Sequence, residues 1–510
     1  MTVQTAFLWL LALPLVSAPL IYLFGRIAVR KSGVRVSNPA PWLALASLLL
    51  ACVLLVIVGQ AVVGGQPVEI ELGDVLMRMD GIGLVLAGAA LVLGALVVLY
   101  SIPYMAGEES QEKYFALLPA LVGSIIGLGC TQDLFNLWVW FEAMSISSYL
   151  LVAFYTRERG ALEAGLKYLV QSAVGSVFVL MAIALTFAQT GSLRLDDIAA
   201  WQGPATLVLL SAGVQFLIGF GVKTAIVPLH TWLPDAHSQA PSGISAMLSG
   251  IVIEAGLVAM LRTLGAIPGN HPLWGWLLLG FGALNMLFGN LMALRQTQVK
   301  RLLAYSSLSH MGYMLLGFGA AAAFQVEAAA AGSFFHLFTH AVMKGLAFLA
   351  AGVFLSGLHL SRGSHTPLII DDLNGAAGRY PLAAFGFSVA VLALGGLPPL
   401  AGFMSKWQIF VGGAATHNLP VILLVVFAAL NSVLSLGYYA PLVNRLYRRE
   451  PSRTVRAGQP VSALMSAPLV ALLLVVVVLG FWPALVQGIT GSAATTLVTM
   501  FGGQVFIAGY

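Results

Sequence analysis

Charge is scarce in this chain. Only 8% of its 510 residues are Asp, Glu, Lys or Arg, 59% are hydrophobic, and the mean hydropathy is +0.94. A water-soluble fold of that composition lacks the polar surface to cover its core, so the chain is read as an integral membrane protein. Cysteine is almost absent. Cys52 and Cys130 both lie in apolar runs, which excludes a disulfide framework, a CxxC metal site, iron–sulfur ligation and c-type haem attachment. Polar alternation is also missing from the apolar runs, which are about 18 to 28 residues long. Backbone groups in hydrocarbon must bond within helices or a closed barrel, and unbroken runs of this length select helices. The net charge of +5 reflects an asymmetry between loops and not nucleic-acid binding.

The pattern predicts an all-α polytopic fold of about fourteen transmembrane helices, near residues 5–24, 41–63, 83–105, 113–131, 133–155, 164–190, 206–229, 241–263, 272–294, 301–323, 328–357, 380–411, 418–447 and 463–487. The first run has no positive residue before it and Arg26, Arg30, Lys31 and Arg35 after it, the reverse of a secretory signal. It is therefore expected to remain as a span with the N-terminus outside. Seventeen of the 24 Lys and Arg residues fall in loops after odd-numbered spans. Only Arg78, Arg194 and Arg262 fall in loops after even-numbered ones. The positive-inside rule then places both termini outside a cell membrane, most simply a prokaryotic cytoplasmic membrane. Between the second and third spans, Gln66 to Met79 alternates polar and apolar residues and predicts a hairpin on the outer surface. Arg445 to Pro460 reads as a basic inner linker, and the stretch from Gly488 to Tyr510 carries no clear pattern.

Two spans are punctuated by proline. GFGVKTAIVPLH places Lys223 five residues before Pro228, and GGLPPLAGFMSK places Lys406 shortly after Pro398 and Pro399. Proline removes a backbone donor and frees a carbonyl, which is tolerated where the opening faces protein or water. A lysine-bearing broken helix that recurs five spans later predicts two inverted five-helix repeats, spans 4–8 and 9–13, with helices 7 and 12 broken. Proline and glycine are common in membrane helices, so chance placement is the competing reading. The expected organisation is a three-helix segment (1–112), a first repeat (113–263), a second repeat (264–447), and a linker with the last helix and tail (448–510).

Six ionisable residues interrupt the apolar runs: Lys167, Lys223, Lys344, Lys406, Glu142 and Glu254. A charge at mid-bilayer costs at least about 2.5 kcal/mol, so retaining six points to an ion route or to buried pairing partners. Glu142, flanked by Trp138, Trp140 and Phe141, is expected to pair with Lys223. His336, His340 and Lys344 recur every fourth residue, which places them on one helical face over about 12 Å. His310 extends the row. Static salt bridges or helix-binding polar contacts are the bland alternatives. A metal site on the histidine pair lacks a third ligand. Lys167 is expected to snorkel to the inner edge. His230, Asp235 and His237, in PLHTWLPDAHSQAPS, are expected at one channel mouth, where they either gather protons or cap the next helix.

These stretches, together with WVWFEAMSISSYLL, LRQTQVKRLLAYSSLSHMGYMLLG, HAVMKGLAFLAAG and NSVLSLGYYAPL, resemble the antiporter-like subunits of respiratory complex I and of Mrp-type cation/proton antiporters. The resemblance covers about residues 100–447 in order. It implies a polar axis along the membrane midplane. By resemblance, Glu142 and Lys223 match the glutamate–lysine pair of the first half-channel. The family's histidines match His310 and His336 or His340, and its distal lysine matches Lys406. The chain ends soon after the last span, so it resembles the medium-sized members without a lateral helix. Two positions depart from the family. Glu254 stands where a lysine is usual, and Gln298 stands where an aspartate is usual.

The implied function is proton translocation in a complex I-like NADH (or other donor):quinone oxidoreductase. No redox cofactor is expected on this chain; flavin, iron–sulfur clusters and quinone are expected on partner subunits, alongside homologous antiporter-like subunits. The alternatives are an Mrp-type antiporter subunit, a subunit of a membrane-bound hydrogenase or formate-oxidising complex, and a structural spacer. Glu254 also leaves open a cation such as Na⁺ as the transported ion.

Overall fold

The computed structural model describes residues 1–32, 38–204, 206–269, 271–362, 366–458 and 460–502; Arg35, one residue of the basic linker and the last eight residues of the tail lie outside them. Nearly everything described is helical, and the one sheet is the expected hairpin. Its strands, Val68–Leu72 and Val75–Met79, pair antiparallel with Val68 opposite Met79. Gly73, at φ +64°, supplies the positive angle that the two-residue turn requires.

A helix stands at each expected position. Among the described residues, twelve helices are long and apolar enough to cross a membrane, and eleven of them coincide with expected spans. The other three expected spans are less uniformly apolar. The fifth (Leu134–Val152) carries Glu142 and three serines, the tenth (Val299–Phe324) begins with Lys300 and Arg301, and the twelfth is split into Pro381–Gly395 and Ala401–Ala414. The twelfth candidate, Pro483–Gly502, falls where the sequence shows no clear pattern. Its helix Gln487–Gly502 packs so closely over Gly81 that a Cβ there has no room. Thr495 also donates to Glu327 at 2.5 Å.

Both breaks lie where the prolines predict them. The seventh helix runs Leu207–Thr224, turns at Ala225 (φ +58°), passes the cis Val227–Pro228 bond and resumes as Trp232–Gln239. Asn285 on the ninth helix repairs the gap, accepting from Val227 N at 2.8 Å and donating to Ala225 O at 3.4 Å. The twelfth helix stops at Gly395, Gly396 takes φ +83°, and the chain passes a cis Pro398–Pro399 bond. Pro398 has no N–H, so it leaves unbonded the Leu394 carbonyl that a continuous helix would have used.

Among the described residues the eighth helix (Ser242–Ala266), the tenth (Val299–Phe324) and the eleventh over Glu327–Gly357 are largely enclosed by the rest. The eighth is locally widened into a π turn at Leu248–Val252, directly before Glu254. At its far end Arg262, which the sequence places in a loop, is instead buried. It donates both Nη atoms to Asp80 at 2.9 and 2.8 Å and Nη2 also to Gly129 O at 2.5 Å. Asp80 in turn caps the third helix through Gly83 N at 2.8 Å. Removing one partner of a buried pair strands the other's charge, so Asp80→Asn is expected to cost about 3–5 kcal/mol. A lowered midpoint of thermal unfolding in detergent checks this.

Candidate functional site

The buried ionisable groups lie on helices that pack face to face. Lys223, on the last turn before the seventh-helix break, is fully buried. Its ammonium donates to Tyr168 Oη at 2.9 Å and Ser172 Oγ at 3.3 Å, both on the sixth helix. It also lies 4.4 Å from the Tyr168 ring centroid, 5.5 Å from that of Phe141 and 6.0 Å from that of Trp232. Aromatic faces and hydroxyl acceptors thus provide what solvation the site offers. Tyr168 is fixed by stacking on Trp232 (3.9 Å, 4°) and by a 2.8 Å contact to Ser148.

The expected ion pair between Glu142 and Lys223 is not formed. Adjacent residues on a helix point about 100° apart, so once Phe141 turns inward against Phe220, Glu142 is directed sideways. Glu142 is half-buried, and its Oε1 is buried without a partner.

A continuous set of contacts begins at Glu254. Its Oε1 lies 2.7 Å from His340 Nδ1 on the eleventh helix. Its partner is thus a histidine of the row that also carries His336 and Lys344. His310, on the tenth helix, lies between the two histidines of the eleventh, stacked on His336 (17°) and tilted by 32° against His340. Its centroid is 5.1 Å from His340, and its Nδ1 is 3.0 Å from His336 Nε2. His336 Nδ1 then meets Ser405 Oγ at 2.8 Å, one residue before Lys406. Lys406 donates to Leu394 O at 2.7 Å, the carbonyl freed by Pro398, and to Ser432 Oγ at 2.9 Å. It also lies 4.6 Å from the Tyr313 ring centroid.

The row on the eleventh helix therefore does not run straight along its own face. It detours through His310, while Lys344 turns aside to Leu303 O at 2.8 Å and to Ser306. Glu254, His310, His336, His340 and Lys344 are all buried to 1% exposure or less. Among the described residues no group of three His, Cys, Asp or Glu side chains is arranged to hold a metal ion.

The residues expected at a channel mouth separate. Asp235 caps no helix; it bridges Lys167 at 3.0 Å and Arg301 at 2.6 Å at the edge of the bundle. Lys167 also pairs with Glu163 at 2.7 Å. His237 is fully buried, one helical turn inside the resumed helix. It stacks on Phe348 (4.8 Å, 9°), and neither ring nitrogen has a partner. His230 is also buried, edge-on to Phe288. Sequence reading missed Lys300, which is buried and donates to Ala240 O. The sequence pattern starts the tenth span at 301, which leaves Lys300 in the preceding loop, whereas the helix begins at Val299.

Fold and site define a class: a polytopic α-helical membrane protein with a chain of ionisable side chains buried through its interior. The chain belongs to the family described as "NADH:quinone oxidoreductase/Mrp antiporter, TM", whose pattern matches residues 131–435. It is 33% identical over 419 residues to F(420)H(2) dehydrogenase subunit N of Methanosarcina mazei, covering 80% of this chain and 82% of that one. It is 31% identical over 424 residues to NADH-quinone oxidoreductase subunit N of Desulforudis audaxviator, covering 78% and 81%. Among solved structures, a chain of an archaeal membrane-bound sulfane sulfur reductase superposes with a TM-score of 0.84 at 28% identity, over 98% of both chains.

Proposed function

We propose that this chain is a proton-translocating subunit of a multi-subunit, redox-driven membrane complex resembling NADH:quinone oxidoreductase. Protons move from the Glu142 and Lys223 region through Glu254, His340, His310 and His336 to Lys406. One observation carries this reading: the side chains from Glu254 to Ser405 are linked by three contacts of 2.7 to 3.0 Å and one tilted ring contact of 5.1 Å between His340 and His310, at a depth where isolated charges are costly.

Each member accepts and releases protons. Each lysine is held by a few neutral acceptors and no carboxylate, so no strong ion pair locks it in the charged state. On this reading His237 and Lys300 form an inner approach, and the segments 113–263 and 264–447 act as two half-channels. Both termini face outward from a cell membrane, most simply a prokaryotic cytoplasmic one. Flavin, iron–sulfur clusters and quinone are expected on partner subunits; for the clusters, Cys52 and Cys130 are too few to serve as ligands. Homologous antiporter-like subunits are the expected membrane neighbours.

The second reading, an Mrp-type antiporter subunit, draws on the same family membership. Purification of the tagged chain in mild detergent, followed by mass spectrometry and optical spectra, separates the two. Co-purifying subunits with flavin and iron–sulfur absorption are expected. Recovery with small membrane subunits alone, and no redox chromophore, overturns the redox reading in favour of the antiporter.

A further inference from the structure

We propose that Glu254 and His340 form a proton-loaded dyad at the junction of the two half-channels, with the carboxyl group of Glu254 holding the transferable proton at rest. The inference rests on the translocation reading above and gives a role to the position where this chain departs from the family pattern.

The geometry decides which form of the pair is tolerable. Glu254 and His340 are both completely enclosed. They touch through Glu254 Oε1 and His340 Nδ1 at 2.7 Å, and the far atoms, Glu254 Oε2 and His340 Nε2, have no partner. An ionised carboxylate is an acceptor at both oxygens, and an imidazolium is a donor at both nitrogens. A carboxylate–imidazolium pair therefore leaves one charged acceptor and one charged donor bare in a low-dielectric interior. A carboxylic acid beside a neutral imidazole leaves the same atoms bare without charge, which costs far less.

Among the described residues no lysine or arginine pairs with Glu254 to hold it as a carboxylate. Lys344, on the same helix as His340, is committed to Leu303 O and Ser306. Lys223, on the seventh helix, is held by Tyr168 and Ser172. Lys406 is held by Leu394 O and Ser432. Arg262, two turns along Glu254's own helix, is taken by Asp80 on the third. Glu142, on the fifth, adds no positive charge. His310 and His336, the remaining titratable groups at the cluster, bond to each other.

In the transfer step the O–H bond of Glu254 breaks and an N–H bond forms at His340 Nδ1. The N–H bond at His340 Nε2 breaks and its proton is taken up at His310 Nε2, as His310 Nδ1 gives its own to His336 Nε2. The His340 ring then turns to bring its proton back to the Nε2 side, and the emptied carboxylate is refilled from the Lys223 side. The resemblance supplies a lysine at this position, which alternates between a cation and a neutral amine. Here the alternation is between a neutral acid and an anion, and the anion draws in the next proton.

Infrared difference spectroscopy on the purified complex tests this, comparing wild type with Glu254→Gln in H₂O and D₂O. The expected result is a carbonyl-stretch band of a protonated carboxylic acid that shifts in D₂O, is missing in Glu254→Gln, and returns at a displaced frequency in Glu254→Asp. Proton translocation by Glu254→Gln is expected to fall about tenfold or more. A difference spectrum containing only ionised-carboxylate bands overturns the dyad. Failure of the translocation reading shows separately, as unchanged proton transport in a Lys223→Met variant, whatever the infrared result.

Discussion

Lys223→Met is expected to reduce proton translocation by at least about 100-fold, the scale of losing a positioned proton-transfer group, while the chain still folds and assembles. Both halves of that expectation follow from the site. The amine is wholly buried among Phe141, Tyr168 and Trp232, with two neutral acceptors and no carboxylate in contact. Methionine keeps most of the stem's volume and removes a charge that is expensive to bury, so stability is expected to hold or rise. Tyr168 keeps its contact to Ser148 and its stack on Trp232. Native-gel assembly and proton uptake into inside-out vesicles check the two halves together. Loss of assembly would instead assign Lys223 a structural role.

His310→Phe is the second large effect, and it tests the route taken across the bundle. His310 is the ring that stands between His340 and His336, which are 6.1 Å apart by centroids and are not hydrogen-bonded to each other. Phenylalanine fills the same space against Tyr313 but offers no nitrogen. His336 loses one partner, a stability loss of about 1–3 kcal/mol. Proton translocation is expected to drop about 100-fold, whereas a straight path along the eleventh helix predicts almost no change. Transport assays on His310→Phe beside His310→Gln separate these outcomes.

The broad architecture is legible because bilayer physics writes it in large letters. Run length marks the helices, prolines mark both breaks, and a charged residue in an apolar run stands out however the helices pack. The buried ionisable residues are therefore legible in the sequence nearly one by one. What the sequence does not carry is direction around each helix and contact between distant segments. Glu142 and Lys223 look like an obvious pair until the inward Phe141 is seen beside them. Asp80 and Arg262 stand 182 residues apart, and Arg262 reads as a loop cation, although together they close one end of the eighth helix. His237 and Lys300 resemble mouth and loop residues because their sequence neighbours Asp235 and Arg301 are charged and paired at the edge. One turn of helix takes each of them inside. The tail helix Gln487–Gly502 is missed because its small and hydroxyl residues give no strong apolar run.

On the proposed route the buried chain ending at Lys406 carries the transported proton. This is tested most directly by the number of protons moved per electron transferred in the purified complex reconstituted in liposomes, wild type against Lys406→Met. Lys406 is the last charged member and is held by Leu394 O, Ser432 and the Tyr313 ring face. The account predicts that electron transfer persists and the ratio falls in Lys406→Met. An unchanged ratio at full electron flux would contradict it.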